Sequence, residues 1–183
     1  MRDAQAALWR AQGARARLAK LRLPRASDVD SLAAFFRPLS SEARVATVFS
    51  RVIAGDLPGR FVWKDPLAVA FLSISPLRTG HTLVVPRAEI DHWLDLPPDL
   101  AAHLFLVAQK VGRGIERAFP AKKIGFVIAG LEVPHAHLHL SGIDGAHDLD
   151  FDRQQPADGP SLDDAAKRIR EALIALGHSE ASA

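Results

Sequence analysis

Residues 134 to 140 read PHAHLHL, with His135, His137 and His139 separated by single apolar residues. Three of the chain's eight histidines therefore fall within five positions. In a β-strand successive side chains point to opposite faces, so residues two apart share one face. Read as a strand, the stretch aims all three imidazoles one way and Ala136, Leu138 and Leu140 the other. The apolar set then sits on a core, and the imidazole row faces a cleft or solvent.

The flanking sequence supplies the rest of a sheet. "GRFVWKD" and "LAVAFLSI" surround Asp65-Pro66, which reads as a hairpin-like turn between two strands. "HTLVVP" is a third strand stopped by Pro86, "KIGFVIAG" a fourth, and "VPHAHLHLSG" the fifth. Ser40 or Ser41 is expected to cap a helix with Glu42 in its first turn, Val45, Val48, Phe49, Val52 and Ile53 as its apolar stripe, and Gly55 at its end. Pro97-Pro98-Asp99 opens a long helix striped by Leu100, Leu104, Val107, Val111, Ile115 and Phe119 and closed by Pro120. A last helix over "SLDDAAKRIREALIALG" puts Leu162, Ala165, Ile169, Leu173 and Leu176 on one face, with Gly177 at its end. A short helix is also expected over "SDVDSLAAFF", capped at Ser27 or Asp28 and carrying Leu32, Phe35 and Phe36. Strands follow one another with few crossovers, so the expected class is α+β: an antiparallel sheet of about five strands with helices packed on it.

Composition narrows the chemistry. A chain of 183 residues is long enough for one domain with a real core. It has no cysteine, which removes disulfides, thiolate chemistry and any zinc site built on Cys ligands, and fits a reducing compartment. No apolar run reaches the ~20 residues needed to span a bilayer, and the N-terminus lacks a signal-type apolar stretch. A cytoplasmic location without a membrane partner is expected. The net charge of +2 hides a basic head, with seven Arg or Lys against one Asp over residues 1–25. A mostly helical, solvated extension over residues 1–40 is the expected reading, ahead of a nucleic-acid or membrane-surface role. The head has no Ser or Thr, which counts against a transit peptide.

The histidine row admits three readings. Zinc takes three imidazoles plus a water, but the outer pair of the row would lie about 13 Å apart at ~3.3 Å of rise per residue, and all ligand nitrogens must converge to ~2.1 Å from one ion. Nucleophilic chemistry suits the row better. A neutral central imidazole can attack phosphorus with one nitrogen while its other N–H is held by a carbonyl or a neighbour, which fixes the tautomer. Flanking imidazoles can then donate to the phosphoryl oxygens. The third reading is a solvent-facing strand with incidental histidines.

Two linked motifs resemble those of the histidine triad (HIT) family. Its His-φ-His-φ-His-φ-φ signature is matched by "HAHLHLS", with Ser141 in the last apolar place, and its S-P-x-x-x-G-H-x-L-V-x-P pattern by Ser75 to Pro86. The likeness covers roughly residues 47 to 142 and implies a HIT-like α+β fold over residues 41–145, followed by a polar linker (146–160) and a C-terminal helix (161–177) packed on the domain. It implies a homodimer that binds nucleoside phosphates and hydrolyses phosphoramidates or dinucleoside polyphosphates, or transfers nucleotidyl groups. His137 would be the nucleophile that forms a nucleotidyl-histidine, His135 and His139 would hold phosphate oxygens and orient it, and His81 would support the triad. Phe49, Val52, Phe71, Leu72 and Ile74 would contact the base. No metal or other cofactor is required for the covalent step, and no nucleic-acid partner is expected. His92 and His103 carry no motif and read as surface or helix-packing residues.

Three departures bear on substrate. Ser73 stands where many members place an acidic residue that grips the ribose, so a charge-assisted contact is lost. Ala129 occupies the place of a family Asn. In the shortened "IAGLEVPH" loop, Gly130 is followed by Leu131 and Glu132 instead of the usual polar pair. Glu132 reads as a general acid, a group that binds an amine leaving group, a charge that repels phosphate, or an exposed loop charge. The alternatives to an enzyme of this type are a degenerate nucleotide- or partner-binding domain and a His-ligated metal-dependent hydrolase.

Overall fold

The computed structural model describes residues 46–182. The expected extension over 1–40, including the "SDVDSLAAFF" helix, lies outside them. Helix α1 (Val48–Ala54) leads to the hairpin β1 (Phe61–Lys64) and β2 (Ala68–Leu72), then β3 (Thr82–Pro86), α2 (Pro98–Ala118), β4 (Lys123–Val127), β5 (Leu138–Ile143) and α3 (Gly159–Ala175). The five strands form one sheet in the order β1-β2-β3-β5-β4, and every pair is antiparallel. This is the α+β architecture the sequence calls for.

Strand alternation divides the core into two layers. Ala68, Ala70 and Leu72 of β2, Val84 of β3, and Leu138 and Leu140 of β5 pack beneath α2 and α3 with Leu104, Val107, Val111, Ile115, Ile169 and Leu173. Val69, Phe71, Leu83 and Val85 point the other way and meet Phe49 and Val52 of α1. Burying an aliphatic or aromatic side chain contributes about 1.5–3 kcal/mol each, so the helix layer, with the larger set, carries most of the apolar stabilisation. Where α2 crosses α3 the backbones come close: a Cβ on Gly114 would lie 2.7 Å from Leu173 Cγ.

Several boundaries differ from the pattern-based expectation. Helix α1 is capped not by Ser40 or Ser41 but by Thr47, whose extended backbone (ψ 162°) halts the helix and whose hydroxyl accepts from the Ser50 N–H. Glu42 is thus not in its first turn, and Val48 is exposed rather than on the buried stripe. Gly55 does end α1, in the left-handed region (φ 89°). Regular pairing in β5 begins only at Leu138, so His135 and His137 lie on the approach to the strand. Residues 146–160 hold two 3-10 turns, Ala146–Leu149 and Phe151–Arg153. Helix α3 begins inside that stretch at Gly159, because Asp158 accepts from Ser161 N. Leu176 is its exposed C-cap and does not continue the buried face.

Candidate active site

The register of the sheet gathers the site. Phe61 pairs with Phe71, Phe71 with Leu83, Leu83 with His139, and His139 with Val127. These five residues form one row across all five strands, on the face away from α2 and α3. Phe49 of α1 closes over the row, edge-on to Phe71 (5.6 Å) and to the His137 ring (4.9 Å between centroids). His137 and His139 stand 4.7 Å apart. On the approach to β5, Ala136 is buried and its N–H donates to the Ile90 carbonyl at 2.7 Å.

Burial fixes the charge of the imidazoles. It pushes His81 down to about 4 and His139 to about 3, with the charge of His137 adding to both and that of His81 also lowering His139. His135 and His137 are lowered as well, again chiefly by burial, with Glu89 opposing at the first and Glu132 at the second. The four rings are neutral near pH 7, and each carries a single N–H.

Fixed backbone partners assign those protons, because a carbonyl can only accept and a peptide N–H can only donate. The Leu77 N–H donates to His81 Nδ1 (3.1 Å), so His81 carries its proton on Nε2 and donates to His139 Nδ1 (3.0 Å). His139 is left with its proton on Nε2. The His135 carbonyl accepts from His137 Nδ1 (2.7 Å), which leaves His137 Nε2 as a bare lone pair. His135 donates from Nε2 to the Pro86 carbonyl (2.8 Å), and its Nδ1 meets the Thr47 hydroxyl at 3.0 Å. Among the described residues no fully enclosed side-chain nitrogen or oxygen goes unpartnered. The free Nε2 atoms of His137 and His139 are therefore open to the cleft, one a bare lone pair and the other an N–H donor.

This geometry sorts the residues singled out from sequence. His81, His137 and His139 converge with Phe49, Val52 and Phe71. His135 joins them, but both its nitrogens are engaged and it is fully buried, so it has no nitrogen for a phosphate oxygen. Leu72 packs in the helix layer, since alternation turns it away from Phe71. Ile74 is 70% exposed, and its carbonyl holds the Ala157 N–H. The Ser73 hydroxyl closes a turn on Ser75, donating to its carbonyl and accepting from its N–H. Gly130 turns the β4–β5 loop at φ 70°, and Glu132 is exposed in that loop with its charge acting on His137. Left-handed Gly80 (φ 88°) sets the approach to His81, and a Cβ there would meet the Phe119 ring at 2.8 Å.

Sequence reasoning missed Phe151, whose ring stands edge-on to His139 at 4.9 Å. The only signal was one aromatic in an otherwise polar stretch. It also missed Thr47, Ser50 and Glu89 behind His135. The row does not offer zinc three imidazoles, because both ring nitrogens of His135 are already hydrogen-bonded. Among the described residues, no group of three or more His, Cys, Asp or Glu side chains could hold an ion.

Fold and site together define a histidine-triad α+β domain, with an ordered set of imidazoles on the open face of an antiparallel sheet. The chain belongs to the HIT family: residues 54–145 match the model of the HIT domain. "Protein hit" of Bacillus subtilis is 34% identical over 98 residues, 51% of this chain and 68% of that protein. An Arabidopsis thaliana bifunctional bis(5'-adenosyl)-triphosphatase/adenylylsulfatase is 31% identical over 121 residues, covering 63% and 65%. The crystal structure of a zinc-bound histidine triad family protein from Mycobacterium smegmatis superposes with a TM-score of 0.64 at 26% identity, covering 72% of this chain and 96% of that one.

Proposed function

We propose that this protein is a nucleotide hydrolase or nucleotidyl transferase that attacks the α-phosphate of a nucleoside phosphoramidate or dinucleotide-like substrate through His137. The carrying observation is the placement of protons: His137 Nδ1–H is committed to the His135 carbonyl, and His137 Nε2 is a free lone pair beside the Nε2–H donor of His139. In the first step Nε2 forms a bond to phosphorus, and the phosphorus bond to the leaving group breaks with its electron pair leaving on that group. The new positive charge on the His137 ring is held by the His135 carbonyl. His139 donates to a phosphoryl oxygen whose charge grows in the transition state. Water then cleaves the nucleotidyl-histidine, or a second acceptor takes the nucleotide. The apolar wall of Phe49, Val52 and Phe71 suits a base, and a dinucleotide-hydrolysing relative supports the substrate class.

The test is intact-mass trapping with adenosine 5'-phosphoramidate. A nucleotidyl adduct is expected in the native protein and absent in His137→Asn. No adduct with purine or pyrimidine phosphoramidates, together with retained nucleotide binding, would sink the enzyme and leave a binding module.

The same reading includes a homodimer working in the cytoplasm. In support of the dimer, β4 pairs only with β5 among the described residues, and Phe105 and Phe126 are exposed beside that free edge. In support of the location, the chain lacks cysteine, and no described helix is long and apolar enough to cross a membrane.

A further inference from the structure

Behind the triad runs a line of four polar side chains that the phosphorus chemistry above does not use. Glu89 follows β3, Thr47 and Ser50 open α1, and His135 begins the triad. Glu89 Oε2 accepts from the Thr47 N–H at 3.0 Å and from the Ser50 hydroxyl in a short bond. The Thr47 hydroxyl oxygen takes the Ser50 N–H (3.1 Å) and lies 3.1 Å from Ser50 Oγ and 3.0 Å from His135 Nδ1.

We propose that Glu89 is a positioning residue for the nucleophile, acting through Thr47 and Ser50 on His135 and through the His135 carbonyl on His137. The proposal rests on His137 being the reacting group. A carboxylate can only accept, so the Ser50 proton is committed to Glu89 and the direction of the line is set at that end. At the other end, His135 Nε2–H is committed to the Pro86 carbonyl, so neutral His135 offers a bare Nδ1. The Thr47 hydroxyl is the donor within reach of it among the described residues, its one proton pointing either to this nitrogen or to Ser50 Oγ at 3.1 Å. Glu89 fixes where that hydroxyl stands, because it holds the backbone N–H of Thr47 and the side chain one helical turn on.

The grip has three points on one short segment. Pro86 holds the His135 ring, Ile90 holds the Ala136 N–H at 2.7 Å, and Glu89 ties α1 to both. Helix α1 also carries Phe49, whose ring edge abuts His137. Loosening Glu89 therefore frees the nucleophile on two sides, from its carbonyl acceptor and from its aromatic neighbour. The Ser50 hydroxyl, ahead of a smaller opposing burial effect and with help from Thr47, keeps the Glu89 carboxyl below the usual range and hence charged.

The test uses the full chain and two readouts. Long-range 1H–15N correlation of the histidine rings at pH 7 reports the hydrogen bond at His135 Nδ1 without any turnover. Steady-state hydrolysis of adenosine 5'-phosphoramidate gives kcat and KM. Glu89→Gln keeps size and removes the charge. It is expected to move the His135 Nδ1 resonance toward that of an unbonded ring nitrogen and to lower kcat about ten-fold or more, as misplacement of a reacting group does, with KM nearly unchanged. Thr47→Val gives the same resonance change, and Thr47→Ser, which returns the hydroxyl, recovers most of both losses. Native 15N positions at His135 in folded Glu89→Gln overturn the proposal whatever happens to kcat, and a moved resonance with native kcat overturns it too. If the native protein itself forms no adduct, the hydrolase reading fails, while the 15N positions still decide whether Glu89 holds His135.

Discussion

At the scale of single residues, the site is an exercise in placing a few protons. Backbone partners of fixed role place one proton on each ring, and the two nitrogens that face the cleft are left in opposite proton states. Alternation made the imidazole row visible in sequence because strand periodicity is local. The partners were not visible, since Thr47 and His135 are 88 positions apart and His81 and His139 are 58 apart. The same burial that keeps the rings neutral has a cost in acid. His81 and His139 bind protons in the unfolded chain near the ordinary value of 6.5, but in the folded chain only at about 4 and about 3. Between those limits the unfolded state holds more protons, so stability is complete above pH 6.5 and is lost as pH falls. The slope is about 1.4 kcal/mol per pH unit for each ring where only the unfolded chain is protonated. The thermal midpoint is expected to drop steadily from pH 7 to pH 5, and His81→Asn should flatten that slope. A native midpoint level across this range would contradict the buried, neutral pair.

At the scale of elements, local signals located most strands and helices, and tertiary partners set their ends. The α2 stripe and its Pro120 stop were plain because they repeat over a long window. The start of α1 was misplaced because Val45 and Val48 extend an apolar pattern that the extended backbone of Thr47 interrupts. The hairpin at Asp65 shows the division well. Its turn was legible from Asp-Pro, yet nothing local says that the carboxylate also takes the indole N–H of buried Trp63 (2.7 Å) and bonds His103 of α2 (2.9 Å). Oδ1 meanwhile accepts from the N–H groups of Leu67 and Ala68. Burial alone would raise the Asp65 carboxyl, but these bonds from Trp63, Leu67, Ala68 and His103 together hold it below the usual range. Asp65→Ala orphans the Trp63 donor in the core, which costs about 1–3 kcal/mol for that group alone. Urea unfolding should therefore show a loss clearly larger than the ~0.5 kcal/mol typical of a surface position. A loss within that smaller range would mean the turn, and not the indole, is what Asp65 serves.

At the scale of the whole molecule, the sheet separates stability from chemistry. One face buries the helix layer, while the other holds α1 and the imidazoles, so cleft residues can change without unmaking the main core. Sequence pattern carried the class of fold and the row of histidines. It left Phe151 in a stretch read as linker, because a lone aromatic declares its neighbour only once β5 and the turn after it are in place. The sheet also ends differently on its two sides. The β1 edge lies against the C-terminal segment, where Trp63 meets His178 at 5.5 Å between ring centroids. The β4 edge carries Phe126, 40% exposed and 5.8 Å from Phe105 of α2, itself 59% exposed. Among the described residues this edge has no strand partner, and such an edge flanked by apolar surface favours pairing with another chain. In the proposed homodimer that partner is a second copy across β4 and α2. Phe126→Glu sets a charge on each side of this contact, while the residue's present exposure leaves the monomer fold intact. Sedimentation equilibrium should give a dimer mass for the native chain and a monomer mass for Phe126→Glu, with unchanged far-UV circular dichroism. A native chain that remains monomeric at high micromolar concentration removes the dimer, and a variant that stays dimeric moves the interface elsewhere.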